Sequence, residues 1–173
     1  MEQKQELLDI LDCNGNPTGK VHIRGTDRAP GEYIGVVVVC VIHSDGRMLI
    51  QQRASEKGWG NKWDVSCSGA ISHGETPQIA AMRELKEELG LDADLTNVRP
   101  SLVTLFSNGF SYAFVIKMDT DPASITLQEE EVQDVCLASK DTILEMIREE
   151  SFVPYRTSWI EYVFDFAEQN YLF

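Results

Sequence analysis

The stretch that decides the fold runs Gly69-Ala-Ile-Ser-His-Gly-Glu75-Thr-Pro-Gln-Ile-Ala-Ala-Met-Arg83-Glu84-Leu85-Lys86-Glu87-Glu88-Leu89-Gly90-Leu91. Thr76 followed by Pro77 opens a helix in the expected order, a hydroxyl N-cap and then proline at the first helical position. Gly90 supplies the left-handed residue that closes it. At about 100° per residue, Glu84, Glu87 and Glu88 fall at i, i+3 and i+4 on one face. Ile79, Met82, Leu85 and Leu89 fall on the opposite face, the one expected to be buried. Stacked carboxylates repel one another by roughly 0.2–0.5 kcal/mol per pair even when exposed. Such a face occurs as a plain solvated surface. It also suits a hard divalent cation, which takes oxygen ligands.

Working outward, the flanks read mainly as strands. Upstream, residues 34–42 carry a valine run suited to a buried strand, and residues 48–53 follow a Ser44-Asp45-Gly46 turn. Residues 63–66 are expected as one short strand leading into Gly69. The N-terminal part reads as a hairpin, residues 7–12 and 19–23 around the turn at Asn14-Gly15-Asn16-Pro17. Downstream come strands at 101–106, 110–117 and 132–138, then a helix over 141–149. A last helix carries Trp159, Tyr162, Val163 and Phe166, spaced for burial on one face. Strands and helices mix without strict alternation, so the class is α/β or α+β, a mixed sheet covered by helices.

At 173 residues, with 43% apolar and 25% charged types, the chain fits one domain over 1–173. Residues 1–30 form the hairpin extension and 31–173 the core. No apolar run reaches the roughly 20 residues of a membrane helix, and the N-terminus lacks a signal-peptide apolar stretch. A cytoplasmic location without membrane association is the expectation. Twenty-eight acids against 15 bases give a net charge of −13, and no basic stripe is visible. A nucleic acid polymer is therefore not the expected partner. Cys13, Cys40, Cys67 and Cys136 are dispersed and have no Cys-x-x-Cys pairing, which argues against zinc and for reduced thiols.

The quoted stretch matches Gly-x5-Glu-x7-Arg-Glu-U-x-Glu-Glu-x-Gly-U at every defined position, U being aliphatic. Chance would produce that match on the order of once per billion starting points at average residue usage. The chain thus strongly resembles the Nudix hydrolases. The resemblance implies an α/β/α sandwich with a mixed sheet, and hydrolysis of a diphosphate linkage in a nucleoside diphosphate joined to another group. It implies magnesium, with manganese as the alternative. Glu84, Glu87 and Glu88 would be ligands, together with the Gly69 carbonyl. Arg83 would orient a box glutamate, and Glu75 would anchor the loop. The general base would be a box glutamate or a carboxylate outside the box.

Glu129-Glu130-Glu131 reads either as a solvated edge or as the source of a further group, Glu129 as a ligand or Glu131 as a catalytic carboxylate. Arg53 ends a core strand, where it could bind substrate phosphate or pair with a local acid. Trp59 or Trp63 could stack on a base, with core packing the simpler reading of Trp63. His73 reads as a surface histidine. The overall layout is similar to the branch of Nudix proteins that contains isopentenyl-diphosphate isomerase. That enzyme's cysteine and histidine positions fall here on Ser68 and Ala70, and Cys67 lies one residue before. Hydrolysis is therefore favoured over isomerisation, and a non-catalytic ligand sensor is disfavoured because no box glutamate is lost. The expected partner is a small-molecule diphosphate. No signature marks the attached group, and a homodimer stays open.

Overall fold

The computed structural model describes residues 5–169; residues 1–4 of the polar N-terminus and 170–173 lie outside them. Strands β1 (Leu7–Leu11) and β2 (Pro17–Ile23) pair antiparallel as a separate two-stranded sheet. The main sheet has seven strands: β3 (Ile34–Ile42), β4 (Met48–Arg53), β5 (Trp63–Asp64), β6 (Cys67–Ala70), β7 (Leu102–Phe106), β8 (Gly109–Lys117) and β9 (Val132–Ala138). It is mixed, because β3 runs parallel to β8 but antiparallel to β4 and β6. Helix α1 (Pro77–Leu89) covers one face, while α2 (Lys140–Arg148) and α3 (Thr157–Glu168) cover the other. This is the α/β/α sandwich with a hairpin extension that the sequence implied. None of the described helices is long and apolar enough to cross a membrane.

The valine run of β3 explains why the sheet is covered twice. Val37, Val39 and Val41 point into the core under α1, and Val38, Cys40 and Ile42 point into the core under α2 and α3. A strand that is apolar on both edges of its pleat needs a layer on each face.

Three expectations need correction. Residues 63–66 are not one strand. The chain pairs with β4 at Trp63 and Asp64, then crosses over to pair with β3 from Cys67 onward, so Gly69 itself lies in a strand. Ser66 fills the crossing: its hydroxyl accepts from the Val41 amide at 2.8 Å and donates to the Leu49 carbonyl at 2.5 Å. A strand hydrogen bond is replaced there by a buried side chain. On α3 the buried stripe is Ile160, Val163, Phe164 and Ala167, leaving Tyr162 exposed. Trp159 and Phe166 flank that stripe and pack against it only in part.

The third correction concerns α1, whose sheet-facing stripe is Ala80, Ala81, Glu84, Leu85, Glu88 and Leu89, with Ile79 exposed. Two alanines let the helix axis come close to the sheet, and this turns two glutamates inward. The ends of the helix are as expected. Thr76 accepts from the Ile79 amide, and Gly90 sits at φ 65°, donating back to Lys86 at 3.0 Å while Leu91 donates to Leu85 at 3.1 Å.

Leu85 is fully buried beneath the sheet and fixes the approach of α1. Leu85→Ala should cost about 2–5 kcal/mol in urea unfolding, the range for an aliphatic side chain replaced by a cavity.

Candidate active site

The site is built where β6, α1 and the loop between them meet. Gly69 makes the close approach possible, since a Cβ there would lie 1.9 Å from Glu84 Oε1. Glu84 and Glu88 are accordingly buried, at 8% and 6% exposure, whereas Glu87 is open to solvent. Gln51, at the end of the apolar run of β4, donates to Glu88 Oε2 at 2.9 Å. Its own Oε1 is buried without a hydrogen-bond partner.

Arg83 ties the acids together. Its Nε and Nη2 hold Glu75 in a two-bond fork at 2.8 and 2.9 Å. Nη1 reaches Glu84 at 2.8 Å and Glu87 at 3.1 Å, and Nη2 also donates to the Ala70 carbonyl at 3.0 Å. A planar five-donor group can satisfy this arrangement and an ammonium cannot. Glu75 in turn accepts from the Ser72 amide at 3.0 Å, which closes the turn before the helix.

A cleft of about 560 Å³ opens over these residues. Gly69, Glu84, Glu87 and Glu88 line it together with Arg53 and Glu131, so most of the residues singled out in the sequence converge. Glu129 does not: it is exposed and outside the lining. Arg53 pairs with buried Asp64 at 2.8 Å and donates to the Gly58 carbonyl at 2.7 Å, while its side chain still borders the cleft. Glu131 pairs with Lys57. Trp63 packs against the core, Trp59 is exposed, and His73 binds Asp9 at 2.8 Å. Cys67 is buried under α1 with Ala80, Ala81 and Leu85, while Ser68 lines the cleft.

Lys57, Arg24 and Gln51 were not anticipated. Gln51 had a signal, a polar residue continuing a buried apolar strand. Arg24 and Lys57 sit in loops, and no local pattern marks them.

Burial, then the charge of Glu84, pushes the Glu88 carboxyl up to about 8, with the Gln51 bond opposing. Burial also raises Glu84, against the pull of Arg83. The two carboxylates are thus short of positive charge. Among the described residues no group of three His, Cys, Asp or Glu is already arranged around a cation, since Arg83 occupies Glu84 and Glu87. The donors nevertheless fit a hard cation: carboxylate oxygens, a strand carbonyl at Gly69, and an unpartnered amide oxygen on Gln51 just behind Glu88.

Comparison with known proteins agrees with this geometry. The family model for the NUDIX domain matches residues 32–167. A Listeria innocua protein described as an uncharacterized Nudix hydrolase is 43% identical over 151 residues, 87% of this chain and 89% of its own. An isopentenyl-diphosphate Delta-isomerase from Streptomyces griseus is 34% identical over 90 residues, covering 51% of this chain and 46% of the isomerase. A crystal structure from Deinococcus radiodurans superposes with a TM-score of 0.77 over 91% of this chain and 99% of that one, at 20% identity.

The raised Glu88 carboxyl sets a pH dependence of stability. Between the ordinary carboxylate range and about 8, the folded cation-free chain holds a proton that the unfolded chain has lost. Stability must then fall as pH rises through that window. In chelator, the melting temperature should decline from pH 5 to 8, and Glu88→Gln should flatten most of the decline.

Proposed function

The chain belongs to the Nudix hydrolase family, and from that membership we propose that it hydrolyses the diphosphate linkage of a nucleoside diphosphate derivative with magnesium, or manganese, in the cleft. The observation that carries this reading is the pair of buried, charge-deficient carboxylates Glu84 and Glu88, the first of them against Gly69, in a cleft that Arg24, Arg53 and Lys57 also line. Carboxylates alone would repel a diphosphate. A cation bound there would neutralise them and would supply Lewis-acid polarisation of the phosphoryl group.

The residues of this chain divide the remaining work. Glu84, Glu88 and the Gly69 carbonyl would hold the cation, with Glu87 at the open edge. Arg83 stays out of contact with substrate and keeps Glu84 and Glu87 in place through charge-assisted bonds. Arg24, Arg53 and Lys57 balance the diphosphate oxygens across the cleft. The attacking water forms the new P–O bond as the bridging P–O bond breaks. Its proton passes to Glu87 or Glu131, which line the cleft and are less buried than Glu84 and Glu88. Isomerisation of isopentenyl diphosphate has less support. The residues at the isomerase acid/base and ligand positions are Ser68 and Ala70, and the nearby thiol of Cys67 is buried and raised in pKa, first by burial.

Glu87→Gln should leave the melting temperature unchanged, because the side chain is largely exposed, and lower turnover of nucleoside diphosphate derivatives at least about a hundredfold. Turnover near that of the native chain would remove the box from the reaction.

Magnesium should raise the melting temperature and chelator should abolish turnover with the fold intact, as measured by circular dichroism and phosphate release. Undiminished turnover in excess chelator would contradict the mechanism. Conversion of isopentenyl diphosphate that is lost in Cys67→Ala would favour the isomerase instead.

A further inference from the structure

A second cavity of about 780 Å³ adjoins the carboxylate cleft, and the two share Arg24, Arg53, Ser68 and Gly69 in their walls. Its floor is sheet, Val36, Val38 and Ala70, and one wall is the stacked pair Tyr155 and Trp159, with ring centroids 4.9 Å apart. The volume is that of a site for a sugar- or nucleoside-sized group, roughly 300–1,000 Å³. Two further residues do not belong to an ordinary apolar pocket. Arg28, from the loop between β2 and β3, and Arg156, which precedes α3, both line it.

Most arginines of this acidic chain are paired. Arg24, Arg47, Arg53, Arg83 and Arg148 each pair with a carboxylate. The chain has acids to spare, 28 against 15 bases. Yet the side chains of Arg28 and Arg156, like that of Arg99 outside this cavity, make no hydrogen bond or ion pair among the described residues, and of these only the Arg28 Nε is buried without a partner. A buried guanidinium donor left unsatisfied costs free energy unless something else satisfies it. Arg28, with that buried donor, and the exposed Arg156 line the same cavity from distant segments, and together they offer an anion two guanidinium groups.

We propose that this cavity holds the group attached to the diphosphate, and that this group carries an anionic substituent of its own, a phosphate or a carboxylate, bound by Arg28 and Arg156. The proposal rests on the hydrolase reading above and specifies its substrate. The diphosphate lies over Gly69 between Arg24 and Arg53, and the attached group passes Ser68 onto the apolar floor. Arg28 precedes the residues matched by the NUDIX domain, which begin at 32, so the N-terminal extension supplies a specificity determinant that the shared fold does not.

The extension is held firmly enough for this role. Leu8, Ile10 and Leu11 are buried, and Leu11 and Tyr33 exchange backbone hydrogen bonds at 2.8 and 3.1 Å. Asp9 accepts from the Gly74 amide at 2.9 Å, pinning β1 to the loop that precedes α1. The loop bearing Arg28 is thereby fixed relative to the catalytic carboxylates.

The test uses matched pairs that differ by one anion: NAD and NADP, and UDP-glucose and UDP-glucuronate, each assayed for hydrolysis and for calorimetric binding with magnesium. In at least one pair the anionic member should show about a tenfold lower KM or Kd, the NADP pair pointing to phosphate and the glucuronate pair to carboxylate. Arg28→Gln and Arg156→Gln should close that gap, while Arg148→Gln, which removes the same charge on α2, should keep it. Equal constants within both pairs, or a gap that survives both cavity variants, would overturn the proposal. Anion preference in binding with no hydrolysis of any compound would keep the pocket and reject the hydrolase reading. Hydrolysis without preference would do the reverse.

Discussion

The arrangement depends on placing two carboxylates, Glu84 and Glu88, between a helix and a sheet without filling the space around them. Burying a carboxylate is costly unless it is bonded and balanced. Here Gly69 removes the Cβ that would strike Glu84, and the small Ala80 and Ala81 let α1 settle close enough to turn both acids inward. Arg83 and Gln51 cover part of the debt, one to Glu84 and the other to Glu88. The remaining imbalance shows as carboxyls held above their ordinary range, and that same imbalance makes the site receptive to a cation.

The rest of the molecule keeps that approach fixed. The double-sided valine strand β3 requires helices on both faces, and α1 is held on its face by Leu85 and Leu89. The turn into α1 is closed from within by Glu75 and Arg83 and from outside by Asp9 of the hairpin. The hairpin therefore serves as a clamp on the loop that carries the site, and it delivers Arg24 to the cleft rim.

A strongly acidic chain that is to handle an anionic substrate, as proposed, must concentrate its few positive charges. Arg24, Arg53 and Lys57 gather at the cleft from the β2–β3 loop, the end of β4 and the loop after it, although each also has an acidic partner. Those pairs hold the side chains in position, and on the proposed reading a diphosphate would meet a mixed field in which guanidinium and ammonium groups offset the glutamates.

The sequence by itself determined the helix with its cap residues, the spacing of Glu84, Glu87 and Glu88, the central strands and the family chemistry. All of these follow from contacts within a few residues, where periodicity and capping govern. It placed Ile79 on the buried face and Glu84 and Glu88 on the solvent face, and there the tertiary structure decided otherwise. Which side of an amphipathic helix meets the sheet is set by how closely the two can approach, and that depends on Gly69, fifteen residues before Glu84 in the chain but directly against its carboxylate in space. The crossing at Ser66, the reach of Arg24 and Lys57 into the cleft, and the unpaired Arg28 and Arg156 are likewise products of long-range packing. Loops obey no periodicity, so only the folded chain brings their side chains to one place.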